Sequence, residues 1–316
     1  MEKYSKEKLR QAREKLKSYI HETPVLQSRL INKQAGCELF FKCENFQKAG
    51  AFKMRGAMHK VLSLTKEERA KGIATHSSGN FGQALALTAQ ILGIQATIVM
   101  PKDAPQVKKD AVAAYGAIII ESEPSPQSRE ETLAEFIKKS KATECHPYND
   151  TQVILGNSTA TQELLELHHV DDIIAPLGGG GLLSGTALAA KYFSSNTQVY
   201  GAEPVGADDA FRSIRDGKIY PSIKPNTIAD GLRTALGTET YAVIKKEVTD
   251  ILLLDDEDIL KAMKLIWERM KIIVEPSSAI TLAAVFKSPE LFKGRKVGLI
   301  LSGGNVDLNM YFKSIS

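Results

Sequence analysis

The chain has 316 residues, 43% of them hydrophobic, 25% charged and 7% aromatic. These are the proportions of a folded globular protein and exclude disordered, collagen-like and low-complexity classes. With 41 basic against 37 acidic residues the net charge is +4, too balanced for a protein built to bind nucleic acid.

A chain of this length buries roughly three quarters of its unfolded surface, so it folds without disulfides or metals. Its three cysteines, Cys37, Cys43 and Cys145, share no CxxC spacing, which argues against a zinc site and against a disulfide framework. The amino-terminal stretch is charged and lacks the apolar centre of a signal peptide, and no apolar run reaches the roughly 18 residues of a membrane span. A cytoplasmic protein with no membrane partner is expected. The N-x-S/T patterns at Asn149 and Asn157 carry no meaning without export.

The first predicted element is an amphipathic helix over 5–19, capped by Ser5, whose Lys/Arg run reads as a solvated face. A strand over 39–42 and a helix over 54–64 follow. Then come a strand over 72–75, a helix over 81–92 stopped by Gly93, and a strand over 95–100. A helix over 106–115 stopped by Gly116, a strand over 117–121 and a helix over 128–139 continue the rhythm. It resumes with a helix over 158–167, a strand over 172–176, a helix over 183–192 and a strand over 199–202. Helices over 258–270 and 277–286 and a strand over 296–301 close it. The strand runs carry few polar residues, as strands covered on both faces do. Strand–helix alternation gives βαβ units and an α/β fold with mostly parallel sheets. Two such units, 72–145 and 172–305, suggest two sheets, with no internal repeat and no linker between them.

Four motifs carry chemistry. Gly178-Gly179-Gly180-Gly181-Leu182 stands between the strand over 172–176 and the next helix. Glycines let a ligand approach the backbone, and a helix N-terminus favours an anion, so this is a phosphate cradle. It matches neither the P-loop nor the dinucleotide fingerprint. Ser302-Gly303-Gly304-Asn305 follows the strand over 296–301, where ligands of open α/β sheets sit. Ser77-Ser78-Gly79-Asn80-Phe81 follows the strand over 72–75 and brings hydroxyls, an amide and helix-start N–H groups, suited to a carboxylate or a phosphate. Lys53 lies between the apolar Phe52 and Met54, and a poorly hydrated lysine becomes an amine nucleophile. Two readings stand for Glu203, Asp208 and Asp209: a helix cap, or oxygen ligands for Mg²⁺ or Ca²⁺.

In this order the motifs resemble the fold type II pyridoxal-phosphate (PLP) enzymes. The residues that carry the resemblance are the run from Glu44 through Lys53 to Ala57, Ser77-Ser78-Gly79-Asn80, the four glycines and Ser302-Gly303-Gly304-Asn305. Glu203-Pro204, Asp230-Gly231 and Glu275-Pro276 add to it. Within the group the chain is most similar to the serine racemases and serine/threonine dehydratases, over about residues 20–312. The resemblance implies a tryptophan synthase β-like fold with a large domain of residues 1–68 and 148–316. A small domain of residues 69–147 is inserted into it. It also implies that Lys53 carries the cofactor and acts as base, with Phe52 near the ring and Asn80 on its 3′ oxygen. Gly178, Gly179, Gly180, Gly181 and Leu182 would hold the phosphate, and Ser302 would face the pyridine nitrogen. Ser77, Ser78, Gly79 and Asn80 would receive the substrate carboxylate, and Ser78 matches the acid/base serine of the racemases. Glu203, the carbonyl of Ala207 and Asp209 match a divalent-cation site. A homodimer is implied, and Lys48 fits a nucleotide effector site.

Two positions depart from the pattern: Phe81 replaces the usual His, and Gly156-Asn157-Ser158-Thr159 replaces Gly-Gln/Asn-Gly-Thr. Phe81 removes a donor and adds an apolar wall beside the substrate. The expected activity is elimination from L-serine or L-threonine to a 2-oxo acid and ammonia. The alternatives are serine racemisation, a cysteine-synthase-like β-replacement, against which Ser77-Ser78 in place of Thr-Ser speaks, and non-catalytic PLP binding.

Overall fold

The computed structural model describes residues 3–77, 79–308 and 311. Among the described residues, ten strands form two sheets. The larger contains β1 (Val25–Leu26), β2 (Glu38–Cys43), β7 (Asp172–Pro176), β8 (Gln198–Pro204), β9 (Asp250–Leu254) and β10 (Lys296–Leu301), in the order β1-β2-β10-β7-β8-β9. Only β1 runs antiparallel, against β2. The smaller contains β3 (Ile73–His76), β4 (Ala96–Pro101), β5 (Ile118–Ser122) and β6 (Thr143–Glu144), all parallel, in the order β5-β4-β3-β6.

Both faces of the larger sheet are buried. Leu39, Phe41, Val297 and Leu299 enter one apolar cluster, whereas Phe40, Ile173, Val199 and Ile300 enter another. Successive side chains of a strand point to opposite faces, so these runs stay apolar throughout. The smaller sheet divides likewise, with Ile73 and Ile98 on one side and Ala74 and Val99 on the other.

The predicted alternation holds, with two kinds of difference. The strands β1, β6 and β9 and the helices Arg29–Ala35, Lys66–Ala70, Asp209–Asp216, Thr238–Glu247 and Pro289–Phe292 have no counterpart in the prediction. The helix expected from 158 starts at Thr151, because the Asp150 side chain accepts from the N–H groups of Gln152 and Val153 and caps the first turn, and the helix then runs through Gly156.

One buried cluster of charge joins β2 to two helices. Arg55, on the helix Lys53–Leu62, donates to Glu44 through Nε (2.6 Å) and Nη2 (2.8 Å). It also donates to Glu163, on the helix Thr151–Leu167, through Nη1 (2.6 Å) and Nη2 (2.7 Å). Lys42 donates to Glu163 Oε2 at 2.6 Å and to the Thr23 carbonyl at 2.6 Å. Lys42, Glu44, Arg55 and Glu163 are all buried, and their formal charges cancel. Removing one partner leaves carboxylates buried and uncompensated. Arg55→Ala is therefore expected to cost about 3–5 kcal/mol of stability, read from the shift of the denaturant midpoint. A loss below about 1 kcal/mol, the level of an exposed pair, would contradict this.

Candidate active site

The loops at the carboxyl ends of β2, β3, β7 and β10 meet, as expected of ligand sites in open α/β sheets. After β2 the chain makes two short 3₁₀ turns, Glu44–Phe46 and Lys48–Gly50, and then starts the helix Lys53–Leu62. That segment is sewn to the β10 loop. Phe52 N–H donates to the Ser302 carbonyl (2.9 Å), Gly304 N–H donates to the Gly50 carbonyl (2.9 Å), and Ala51 bridges Gly303. Gly50 has φ +69°, and a Cβ there would lie 2.4 Å from Asn305 Oδ1, so the turn requires glycine.

Lys53 opens its helix. Its Nζ donates to the Pro147 carbonyl at 3.2 Å and lies 4.9 Å from the Phe52 ring centroid and 5.8 Å from that of Phe81. No carboxylate among the described residues forms an ion pair with it. Burial pushes the amine down to about 8, with Glu275 pulling it partly back. About a tenth of it is thus neutral and nucleophilic at pH 7, against well under a hundredth for an ordinary lysine.

The glycine run is wholly buried and precedes the helix Gly181–Phe193, whose cap, Gly180 (φ +85°), offers no side chain to the first-turn N–H groups. The run is also closely backed. A Cβ on Gly179 would stand 2.5 Å from the Tyr148 ring, and one on Gly178 would stand 2.9 Å from Leu232 Cα. Thr240 Oγ1 donates to the Gly179 carbonyl at 2.8 Å. Uncapped N–H groups at a helix start, held by protein on the far side, suit an anion.

Asn80 opens the helix Asn80–Leu92. Its Nδ2 donates to both oxygens of Glu275 (3.0 and 3.1 Å), and its Oδ1 accepts from Asn305 Nδ2 at 3.0 Å. Glu275 is buried, and burial with Asp230 nearby pushes it up to about 7. Ser302 is buried at the end of β10, its Oγ 3.0 Å from Ser278 Oγ. Gly79 N–H donates weakly to Ser77 Oγ at 3.4 Å, and a Cβ on Gly79 would meet nothing within 4 Å. Ser78 lies outside the described residues. Phe81 is 2% exposed and belongs to the core cluster of Met54, Met58 and Ile98, while its ring also faces Lys53.

Glu203, Ala207 and Asp209 gather at the end of β8, away from these loops in sequence. The capping reading is realised: Glu203 accepts from the N–H groups of Ala210 (2.8 Å) and Phe211 (2.7 Å). Burial pushes Glu203 up to about 8 and raises Asp209. Asp209 Oδ2 is nevertheless buried without a hydrogen-bond partner among the described residues, as suits an oxygen kept for a cation. No group of three or more His, Cys, Asp or Glu side chains able to hold a metal occurs among the described residues. A cation here would therefore draw on two carboxylates plus a carbonyl or water.

The family described as pyridoxal-phosphate dependent enzyme matches residues 16–303. The chain belongs to that family. A serine racemase of Dictyostelium discoideum is 47% identical over 315 residues, covering 98% of this chain and 97% of the relative. A β-hydroxyaspartate dehydratase of Paracoccus denitrificans is 47% identical over 299 residues, covering 94% and 95%. The solved structure of a T.th. threonine deaminase matches with a TM-score of 0.92 at 40% identity, covering 96% of this chain and 99% of that one.

The residues present fit the family's cofactor: an amine with no carboxylate partner among the described residues, an uncapped glycine-rich helix start and a buried hydroxyl, all on loops at strand carboxyl ends. Sequence reasoning missed Glu275 as a site residue, although Glu275-Pro276 was among the matching stretches. It also missed Tyr148 and the Pro147 carbonyl, which no spacing rule marks.

Recombination of the apoprotein with pyridoxal phosphate, followed by absorbance, is expected to accelerate with pH and level off above about 8, because only the neutral amine attacks a carbonyl. A midpoint near the ordinary lysine value of about 10.4 would contradict this.

Proposed function

We propose that the protein eliminates the β-substituent of small β-hydroxy amino acids of the L-serine, L-threonine and 3-hydroxyaspartate type, giving a 2-oxo acid and ammonia. The observation that carries the reading is the pairing of an uncharged-tending Lys53 amine with the buried Ser302–Ser278 hydroxyl pair. Pyridoxal phosphate, when bound, supplies an electron sink for the pair released as the Cα–H bond breaks. Lys53 Nζ takes the Cα proton. The β-hydroxyl leaves, and with that proton amounts to one water; a later hydrolysis returns the water and releases ammonia. With pyridoxal phosphate bound, Ser302 would meet the ring nitrogen with a hydroxyl, too weak an acid to hold it protonated, which would suit prompt loss of the β-hydroxyl.

Phe52 packs beside Lys53. Asn80, oriented by Glu275 and Asn305, serves the 3′ oxygen, and Gly178, Gly179, Gly180, Gly181 and Leu182 serve the phosphate. Ser77, Ser78, Gly79 and Asn80 receive the substrate carboxylate, and the apolar ring of Phe81 backs the amine. The names of the relatives support this substrate class, since one is a β-hydroxyaspartate dehydratase and another a serine racemase. Racemisation is the second reading, with Ser78 as the opposite-face proton donor.

Further parts of the proposal are Mg²⁺ or a similar cation at Glu203, Asp209 and the Ala207 carbonyl, a homodimer, a nucleotide effector near Lys48 and a cytoplasmic site of action. The division into residues 1–68 with 148–316 and an inserted 69–147 belongs to it as well. No helix among the described residues is long and apolar enough to cross a membrane.

Purified holoprotein with L-serine, L-threonine or L-threo-3-hydroxyaspartate is expected to release 2-oxo acid with little D-isomer. D-serine as the main product would favour the second reading, and no oxo acid from any of the three would refute the first. Chelation is expected to lower the melting temperature of the wild type and to leave that of Asp209→Asn unmoved. Equal shifts in both would remove the cation from this site.

A further inference from the structure

Asn157 lies fully buried on the helix Thr151–Leu167, and both Oδ1 and Nδ2 lack a hydrogen-bond partner among the described residues. Native proteins keep few such groups, because a buried donor or acceptor left unpaired forfeits its hydration. Its neighbours are satisfied. Ser158 Oγ donates to the Leu155 carbonyl (2.6 Å), Thr159 Oγ1 to the Gly156 carbonyl (2.7 Å), and Gln162 Nε2 to Ser158 Oγ (2.9 Å) and the Leu9 carbonyl (3.1 Å). The amide is therefore singled out within a well-paired helix.

Its location is informative. A Cβ on Gly56, three residues beyond Lys53, would stand 2.6 Å from Asn157 Oδ1. A Cβ on Gly181, the first residue of the helix behind the glycine run, would stand 3.4 Å from Asn157 Nδ2. The same Gly181 Cβ position would also stand 2.9 Å and 3.1 Å from Cβ and Cα of Tyr148, whose ring covers Gly179. The donor end of the amide thus lies against the start of the uncapped helix, and the acceptor end against the helix that carries the reactive lysine.

We propose that Asn157 is a further cofactor-holding residue, its side-chain amide joining the glycine run in binding the phosphate group of the cofactor. A carboxamide brings two N–H donors and no charge, and hydrogen bonds to an ionised oxygen are the stronger kind. The inference rests on the reading of the glycine run as a phosphate cradle and adds a side chain to it. Within the segment Gly156-Asn157-Ser158-Thr159 the departure from the pattern is Ser158, and the amide at 157 is retained.

The test titrates the full-length apoprotein with pyridoxal phosphate and, separately, with pyridoxal, which lacks the phosphate, and records melting with and without each. For Asn157→Leu, similar in size and apolar, the apoprotein is expected to melt at or above the wild-type temperature. Its affinity for pyridoxal phosphate falls at least about tenfold, its affinity for pyridoxal stays unchanged, and the melting shift on cofactor addition shrinks accordingly. Asn157→Asp keeps the shape and adds a negative charge. It is expected to weaken pyridoxal phosphate further as pH rises, which keeps the test available if the leucine variant does not fold. Wild-type affinity for pyridoxal phosphate in either variant overturns the proposal. So does a leucine variant destabilised equally with and without cofactor, because that marks a purely structural amide. Failure of the underlying reading looks different: the wild type itself would bind pyridoxal as tightly as pyridoxal phosphate.

Discussion

The placement of the reactive lysine depends on a guanidinium two residues further along the chain. Arg55 holds Glu44 at the end of β2 and Glu163 on the helix Thr151–Leu167, each through two hydrogen bonds, with Lys42 balancing the second carboxylate. A planar fork can satisfy two carboxylates at fixed angles, and an ammonium cannot do this. The helix Lys53–Leu62 is thereby locked in rotation and height against the larger sheet. Lys53, at its first position, is left facing the meeting point of the loops. Such a buried cluster is poor evidence for added stability, since its desolvation offsets much of its attraction. Its effect is on geometry.

Around that fixed lysine the two sheets contribute different functions. The larger sheet brings the glycine run after β7 and Ser302 after β10. The smaller brings the loop after β3 and the carbonyl of Pro147 beyond β6. The two are joined by the Glu275–Asn80–Asn305 chain of hydrogen bonds. Glu275 is thus a coupling element. Its side chain is buried, its ordinary acidity is weakened, and both its oxygens accept from the Asn80 amide.

Much of this was legible in the sequence because the signals were local. The apolar runs over 172–176 and 296–301 became β7 and β10 with those bounds, and Gly93 terminates its helix in a left-handed conformation as predicted. The glycine run stands out by residue type and position, whereas Lys53 is singled out only by the resemblance of the surrounding motif. The missing pieces are long-range. Arg55 reads as an ordinary helix residue until Glu44 and Glu163 are brought to it. Glu275 gains meaning only from Asn80, 195 residues away. Phe81 was expected to line the substrate space; it is 2% exposed and packs in the core while facing the lysine, and nothing in the local pattern distinguishes those placements.

The central claim is that Lys53, and no other lysine, bonds the cofactor. It is tested most directly by adding pyridoxal phosphate, reducing the adduct with borohydride, and mapping the label by mass spectrometry of peptides. The account predicts a stoichiometric pyridoxyl label on Lys53, with loss of specific labelling in Lys53→Ala. A label on a different lysine, or one spread over surface lysines with Lys53 unmodified, would contradict it.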